Sequence, residues 1–175
     1  MRKVLTRSRS RAELFAGKVL TALGCSIFAV GALAASSIAA GVLIVGAQPL
    51  IDLTGALHHG TAAAVRVVLA WTSVLPPALA FTGLAVLLSV ATKSSAAGIG
   101  LPVVIGLIMQ LVAFVDGPEP LRRVLITSAF GAWHGLLSEP PYYRPLVDGL
   151  VVSGLYLAGC LLVAYSLLRR RDIGG

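Results

Sequence analysis

Charged side chains are scarce in this sequence. Only 12% of its 175 residues are Asp, Glu, Lys or Arg, whereas 57% are hydrophobic. The mean hydropathy is +0.92. In a soluble domain about a quarter of the residues are charged, and these keep the folded chain in solution. The composition therefore excludes an ordinary soluble domain and predicts a membrane protein.

The few charges leave four long runs that contain none: Val19 to Ile51, Val67 to Thr92, Ser94 to Val115 and Gly149 to Leu168. About 20 apolar residues in a helix cross the roughly 30 Å hydrocarbon core of a bilayer. We therefore predict an all-α polytopic membrane bundle that forms a single domain over residues 1–175. The predicted transmembrane helices are at about 19–47, 67–92, 94–115 and 149–168.

The segments between the runs carry turn and interface signals. Pro76-Pro77 predicts an interruption of the second helix, since proline removes a backbone donor and clashes with the preceding turn. Thr92-Lys93-Ser94 is the only clearly polar stretch between the second and third runs, and predicts a tight helical hairpin. The segment 116–148 is extracytoplasmic in this topology, and its Trp133 and Tyr142-Tyr143 favour one or two short interfacial helices.

The basic residues are sorted to one side of this topology. Of 14 Lys and Arg residues, six precede the first run, Lys93 separates the second from the third, and three follow the fourth. The positive-inside rule then places both the entry segment 1–18 and the tail 169–175 in the cytoplasm, for a multi-pass protein of the plasma (inner) membrane. Topology accounts for the net charge of +7, so we expect the lipid bilayer as a partner of the chain and no nucleic acid.

The predicted helices contain few side chains that could take part in catalysis or transport. They contain no Asp, Glu, Lys, Arg or His, the residues that ion-coupled transporters place in the membrane. Polar candidates for lining a pathway, or for packing, are Ser36, Ser37 and Gln110. No spacing of His or Cys indicates a metal site, and no glycine-rich phosphate loop is present. We therefore expect no enzyme activity, cofactor or metal in this chain.

The basic, amphipathic stretch from Ser8 to Lys18 runs directly into the first transmembrane helix. It resembles the "R-x-E-l-x-x-G-K" entry of ABC-2 type transporter permeases. The stretch from Leu87 to Ala97 is similar to that family's cytoplasmic turn between two helices. Phe130-Gly131-Ala132-Trp133 resembles the short helices before the last transmembrane helix, and Arg169 to Ile173 resembles the usual ending. The resemblance covers nearly the whole chain and depends on the order and spacing of short motifs.

This resemblance implies a permease subunit of an exporter for a hydrophobic, lipid-like or drug-like compound. A separate ABC ATP-binding subunit would bind and hydrolyse ATP and press on the cytoplasmic entry. Arg9, Arg11 and Glu13 would then be the residues nearest to that subunit, and a second permease copy or a homologous permease would complete the assembly. The same three residues are equally explained as topology determinants and as helix-start electrostatics.

The family has six transmembrane helices in a permease domain, and this sequence has four predicted ones. Alignment by the entry motif makes them the last four, so the resemblance implies an internal start at Met1, a truncated product or one part of a split permease. A non-transporting membrane scaffold, or an inactive permease fragment, is the alternative function.

Overall fold

The computed structural model describes residues 11–46, 48–52, 55–114, 124–138 and 140–170. The predicted fold class is confirmed: the described chain is an all-α helical bundle. Four of its helical segments are long and apolar enough to cross a membrane, namely Ala12–Ile44, Gly60–Thr92, Ser95–Ala113 and Arg144–Arg170.

Helices account for almost all the regular structure. The elements in chain order are α1 (Arg11–Ile44), β1 (Leu50–Ile51), β2 (Leu57–His58), α2 (Gly60–Ser73), α3 (Leu75–Thr92), α4 (Ser95–Phe114), α5 (Ile126–Ala129), a 3₁₀ helix (Ala132–Leu137) and α6 (Arg144–Arg170). The two strands form a minimal antiparallel hairpin in which Leu50 pairs with His58. Two short helices, α5 and the 3₁₀ helix, precede the last long helix.

Helices α2 and α6 each begin several residues before the uncharged run that follows. Helix α2 starts at Gly60 and includes Arg66, and α6 starts at Arg144 and includes Asp148. A charge-free run marks the part of a helix that can lie in hydrocarbon, whereas the helix itself continues while its backbone groups remain paired. Part of the connecting segments is therefore helical.

A break at Val74 divides the second long helical segment into α2 and α3. The Val74 amide bonds to the Trp71 carbonyl at 3.2 Å, and its own carbonyl accepts from the Ala78 amide at 3.2 Å. Pro76 and Pro77 occupy the first turn of α3, where their missing N–H groups remove no hydrogen bond within α3, and they follow closely on the end of α2. The predicted interruption at this proline pair is present.

Helix α3 is the centre of the bundle, with α1, α4 and α6 packed around it. Helices α3 and α6 run side by side in the same direction, and Gly83 of α3 allows close approach of Leu157 of α6. The core between the elements consists mainly of small and branched side chains, including Ala80, Val86, Ala129 and Ala164. Small residues are the usual means by which membrane helices approach closely.

The hairpin between α3 and α4 turns at Lys93. This residue adopts a left-handed conformation with φ 58°, which ends α3 in the manner of a helix C-cap. The Ser94 hydroxyl then accepts from the Ala97 amide at 3.3 Å, so it caps the start of α4. Two residues, Lys93 and Ser94, thus suffice to reverse the chain.

One side of helix α1 is buried or half-buried against the bundle, from Phe15 and Val19 to Val30 and Ala34. The rings of Phe15 and Tyr165 lie 5.8 Å apart and join α1 to α6. Further along α1 most side chains are exposed, and Phe28 is 78% exposed. In a bilayer this apolar surface faces lipid or another membrane helix.

Candidate functional site

The described part of the entry segment, from Arg11 to Lys18, belongs to the same helix as the first candidate membrane span. Arg9 lies outside the described residues, and Arg11 is the first residue of α1. Glu13 lies in the first turn of α1 with its side chain exposed, where a carboxylate complements the positive end of the helix dipole. The entry is therefore positioned for contact with water or with a partner.

Lys18 connects this entry to the centre of the bundle. Its ammonium group donates a hydrogen bond of 3.0 Å to the Ser89 hydroxyl of α3. Together with the contact between Phe15 and Tyr165, this bond attaches the first turns of α1 to both α3 and α6. The first turns of α1 are therefore in contact with both of these helices.

The polar candidates for a pathway do not converge. Ser36 and Ser37 are exposed on α1 and Gln110 is exposed on α4, and these two helices do not pack extensively against each other in the described part of the chain. The Ser36 hydroxyl donates a hydrogen bond to the Leu33 carbonyl at 3.0 Å. Serine in a membrane helix commonly pairs its hydroxyl with a backbone carbonyl of the preceding turn in this way. The three side chains line no shared interior channel among the described residues.

A buried serine that is not among the predicted site residues lies in α6. Ser153 of α6 is only 1% exposed, and its hydroxyl has no hydrogen-bond partner within the described residues. The sequence pattern around Ser153 does not reveal which face of α6 packs inward, because apolar residues surround it on every side.

A buried ionic cluster lies on the side of the bundle where α2 begins. The Asp52 side chain is 0% exposed, and its Oδ2 atom lies 3.1 Å from His58 Nε2 and 3.6 Å from an Arg66 guanidinium nitrogen. Its Oδ1 atom accepts from the Ala56 amide at 2.9 Å. Asp52 therefore joins the β1–β2 hairpin to α2.

The sequence pattern does not reveal this cluster. Its members are separated in the chain, and their meeting depends on the hairpin that Gly55 permits, where φ is 88°. Glycine adopts this left-handed conformation without the steric penalty of other residues. The combination of an acidic residue, a nearby glycine and a following histidine is a weak signal that could have suggested a turn here.

Beside the ionic cluster, a groove runs between α2 and the segment that leads into α6. Its polar part is a cavity of about 370 Å³, lined by Thr61, Ala62, Val65, Arg66, Leu69, Leu136, Pro141 and Tyr143. The adjoining apolar part is a cavity of about 280 Å³, lined by Leu69, Thr72, Ser73, Pro76, Ala129, Ala132, Leu136, Tyr143, Leu146, Gly149 and Leu150. Leu69, Leu136 and Tyr143 line both cavities, so the two parts form one groove.

Few potential metal ligands lie close together in the described part of the chain. Among the described residues, no three His, Cys, Asp or Glu side chains lie close enough together to hold a metal ion. Asp52 and His58 supply two potential ligands, and the neighbouring cation, Arg66, disfavours a metal ion electrostatically.

No protein-family model matches this chain, and no curated protein or solved structure is significantly similar to it. Evidence for function therefore comes from the residues and from their arrangement.

Proposed function

We infer that this chain is a permease subunit of an ABC-2 type exporter. It would form part of the membrane pathway for a hydrophobic, lipid-like or drug-like compound, and a separate ABC ATP-binding subunit would supply the energy. The order of short motifs that resemble this family supports the proposal. So does the lack of ionisable residues in the uncharged runs, because such a bundle has no evident group for sensing an ion gradient.

The hydrogen bond between Lys18 and Ser89 is the structural observation that best supports the proposal. An exporter driven by a separate ATPase requires a mechanical connection from its cytoplasmic surface to the helices that form the pathway. Here the basic entry leads into α1 without a break, and Lys18 contacts α3 within the first turns. Force applied near Glu13 would therefore reach the centre of the bundle over a short distance.

The assembly would contain a second permease. Helix α1 exposes an apolar surface on which Gly31, Ala35 and Ala39 recur every four residues. Small residues at this spacing allow two membrane helices to pack closely. A second copy of the chain, or a homologous permease, would cover part of this surface in a complex with two ATPase subunits.

Charge reversal in the entry tests the partner contact. The chain is co-expressed in membranes with the ABC ATPase that is encoded nearest to it, and affinity purification measures their association. Arg11→Glu and Glu13→Arg should each reduce association, because each places a like charge against the partner surface. Arg170→Glu is the matched control, since Arg170 is an exposed basic residue at the end of α6. Association that is unchanged by both entry variants would remove Arg11 and Glu13 from the interface.

A membrane scaffold is the second candidate, and the large exposed surface of α1 favours it. A scaffold would bind other membrane chains through α1 and would not depend on an ATPase. Purification from membranes distinguishes the two functions: recovery of an ABC ATPase supports the permease, whereas stable recovery of other membrane proteins without any ATPase supports the scaffold.

A further inference from the structure

We propose that the groove between α2, the 3₁₀ helix and the start of α6 binds a membrane phospholipid. One acyl chain would lie in the apolar cavity, and the lipid phosphate would lie at the polar end beside Arg66. This site concerns the chain by itself, so it goes beyond the proposed transport function and does not require an ATPase.

The depth of the groove in the bilayer matches a lipid. About 20 helical residues cross the hydrocarbon core. Counting back this length from Thr92 at the end of α3 reaches Ser73, and counting back from Leu168 in α6 reaches Gly149. Both Ser73 and Gly149 line the apolar cavity. This cavity therefore lies at the boundary of the hydrocarbon core, on the side where α2 begins.

The polar end lies one step further out. Arg66 precedes Ser73 by two turns of α2, which corresponds to at most about 10 Å along the membrane normal. The lipid headgroup layer extends roughly 5–7 Å beyond the hydrocarbon on each side, and a long arginine side chain can bridge the remaining distance. Arg66 is thus within reach of a phosphate whose acyl chain enters the apolar cavity.

Arg66 has the chemistry for a phosphate. A guanidinium group has five N–H donors in a planar fork, and this geometry matches phosphate oxygens. One edge of Arg66 faces Asp52 at 3.6 Å, and the side chain also lines the polar cavity together with Thr61 and Tyr143. The ion pair fixes the position of the guanidinium group, and the hydroxyl groups of the two neighbours add further donors for a headgroup.

The size of the apolar cavity suits a single acyl chain. The cavity measures about 280 Å³. If a methylene group takes about the volume of a water molecule, ~30 Å³, then about nine methylenes fill this cavity. A single acyl chain that continues into the bilayer therefore fits this cavity.

Photocrosslinking of the purified chain in phosphatidylcholine nanodiscs tests this site. The probe is a phosphatidylcholine with a photoreactive diazirine in one acyl chain, and peptide mass spectrometry locates the crosslinks. We expect labelling of residues 69–76 and 143–150 to exceed that of the exposed apolar face of α1 several-fold. Labelling spread evenly over the exposed helices would overturn the proposal.

Two comparisons sharpen the test. Leu69, which lines both cavities, is 45% exposed, and Leu155, which lines neither, is 69% exposed. Leu69→Trp should lower groove labelling several-fold and Leu155→Trp should leave it unchanged; equal labelling of the two variants would contradict the site.

The second comparison is between two probes on the unaltered chain, so it can be made even if Leu69→Trp does not fold. A diacylglycerol probe with the same acyl chains lacks the phosphate and should label the groove several-fold less. Equal labelling by the two probes would overturn the role of Arg66.

Discussion

Lys18 donates a hydrogen bond of 3.0 Å to Ser89, and Ser89 also lies against Gly98 of α4. Three helices, α1, α3 and α4, thus meet at one serine near the end of the bundle that carries the basic entry. The charged donor and the small neighbour act together here: Gly98 lets α4 approach Ser89 closely, and Lys18 attaches α1 to the same residue. Lys18, the last residue of the basic entry, is therefore part of the packed contact between α3 and α4.

The bond between Lys18 and Ser89 should be measurable as an interaction energy. Lys18→Met and Ser89→Ala each remove it, so the double variant should lose less stability than the sum of the single variants. We expect a coupling of about 0.5–1.5 kcal/mol, as for one hydrogen bond. Reversible unfolding in mixed micelles measures it, and additive effects would show that the contact contributes no stability.

Gly98 should not tolerate a larger side chain. A Cβ atom at Gly98 would lie 2.7 Å from Ser89 Cβ and 3.1 Å from the Ala85 carbonyl oxygen. Gly98→Leu should therefore separate α4 from α3 and lower the stability by about 1–3 kcal/mol, as overpacking commonly does. The measurement is the melting temperature of the purified protein in detergent.

Gly100 is the matched control for this change, because a Cβ atom there meets nothing within 4 Å. Gly100→Leu replaces a glycine of the same helix and should leave the melting temperature nearly unchanged. Equal losses for the two variants would mean that helix α4 requires glycine for a reason other than close packing.

Asp52 should hold the β1–β2 hairpin against α2. Asp52→Ala removes the partner of His58 and Arg66 and the acceptor of the Ala56 amide. Loss of one partner from a buried ion pair is strongly destabilising, and we expect a local cost of about 3 kcal/mol. Hydrogen exchange of residues 50–58, measured by mass spectrometry, should become much faster.

An exposed ion pair provides the comparison for Asp52. Arg144 and Asp148 are 4.0 Å apart, with side chains 67% and 49% exposed. Asp148→Ala should change stability by less than about 1 kcal/mol, because water screens such pairs. Exchange in the hairpin that is unaffected by Asp52→Ala would contradict the structural role of this carboxylate.

Opposite ends of the bundle should lie on opposite sides of the membrane. In a background with Cys25→Ala and Cys160→Ala, single cysteines at Lys93 and His59 are tested with a membrane-impermeant maleimide. The positive-inside rule predicts that Lys93→Cys reacts only after the cytoplasmic side is opened, whereas His59→Cys reacts in intact cells. The reverse pattern would overturn the predicted orientation, and labelling of both sites in intact cells would contradict the four-pass topology.

Local patterns were sufficient to predict the helices but not their meeting points. The uncharged runs predicted four membrane helices, and Pro76-Pro77 predicted the break, because both signals depend on neighbouring residues. The contact of Asp52 with Arg66 and the burial of Ser153 depend on how distant elements pack. A uniformly apolar helix carries little information about which face is buried, so the groove beside α2 could not be predicted from the sequence.

The boundaries of the helices differ from those of the uncharged runs for a similar reason. Arg66 and Asp148 lie just before two of the runs, but α2 and α6 begin earlier in the chain, because a charged side chain is compatible with a helix outside the hydrocarbon. Arg66, at the polar end of the groove, lies in this extra helical length, whereas the apolar cavity is lined partly by residues within the runs, such as Ser73 and Gly149. The polar end of the groove therefore lies where the uncharged runs stop.

The most direct test of the proposed function is ATP hydrolysis in liposomes. The chain is purified together with the ABC ATPase encoded nearest to it, the two are reconstituted, and hydrolysis is measured with and without a panel of lipid-like and drug-like compounds. The permease proposal predicts a stable complex whose hydrolysis depends on this chain, increases with at least one transported compound and loses that stimulation in Ser89→Ala. Absence of a complex, or hydrolysis that is the same with and without the chain, would contradict it.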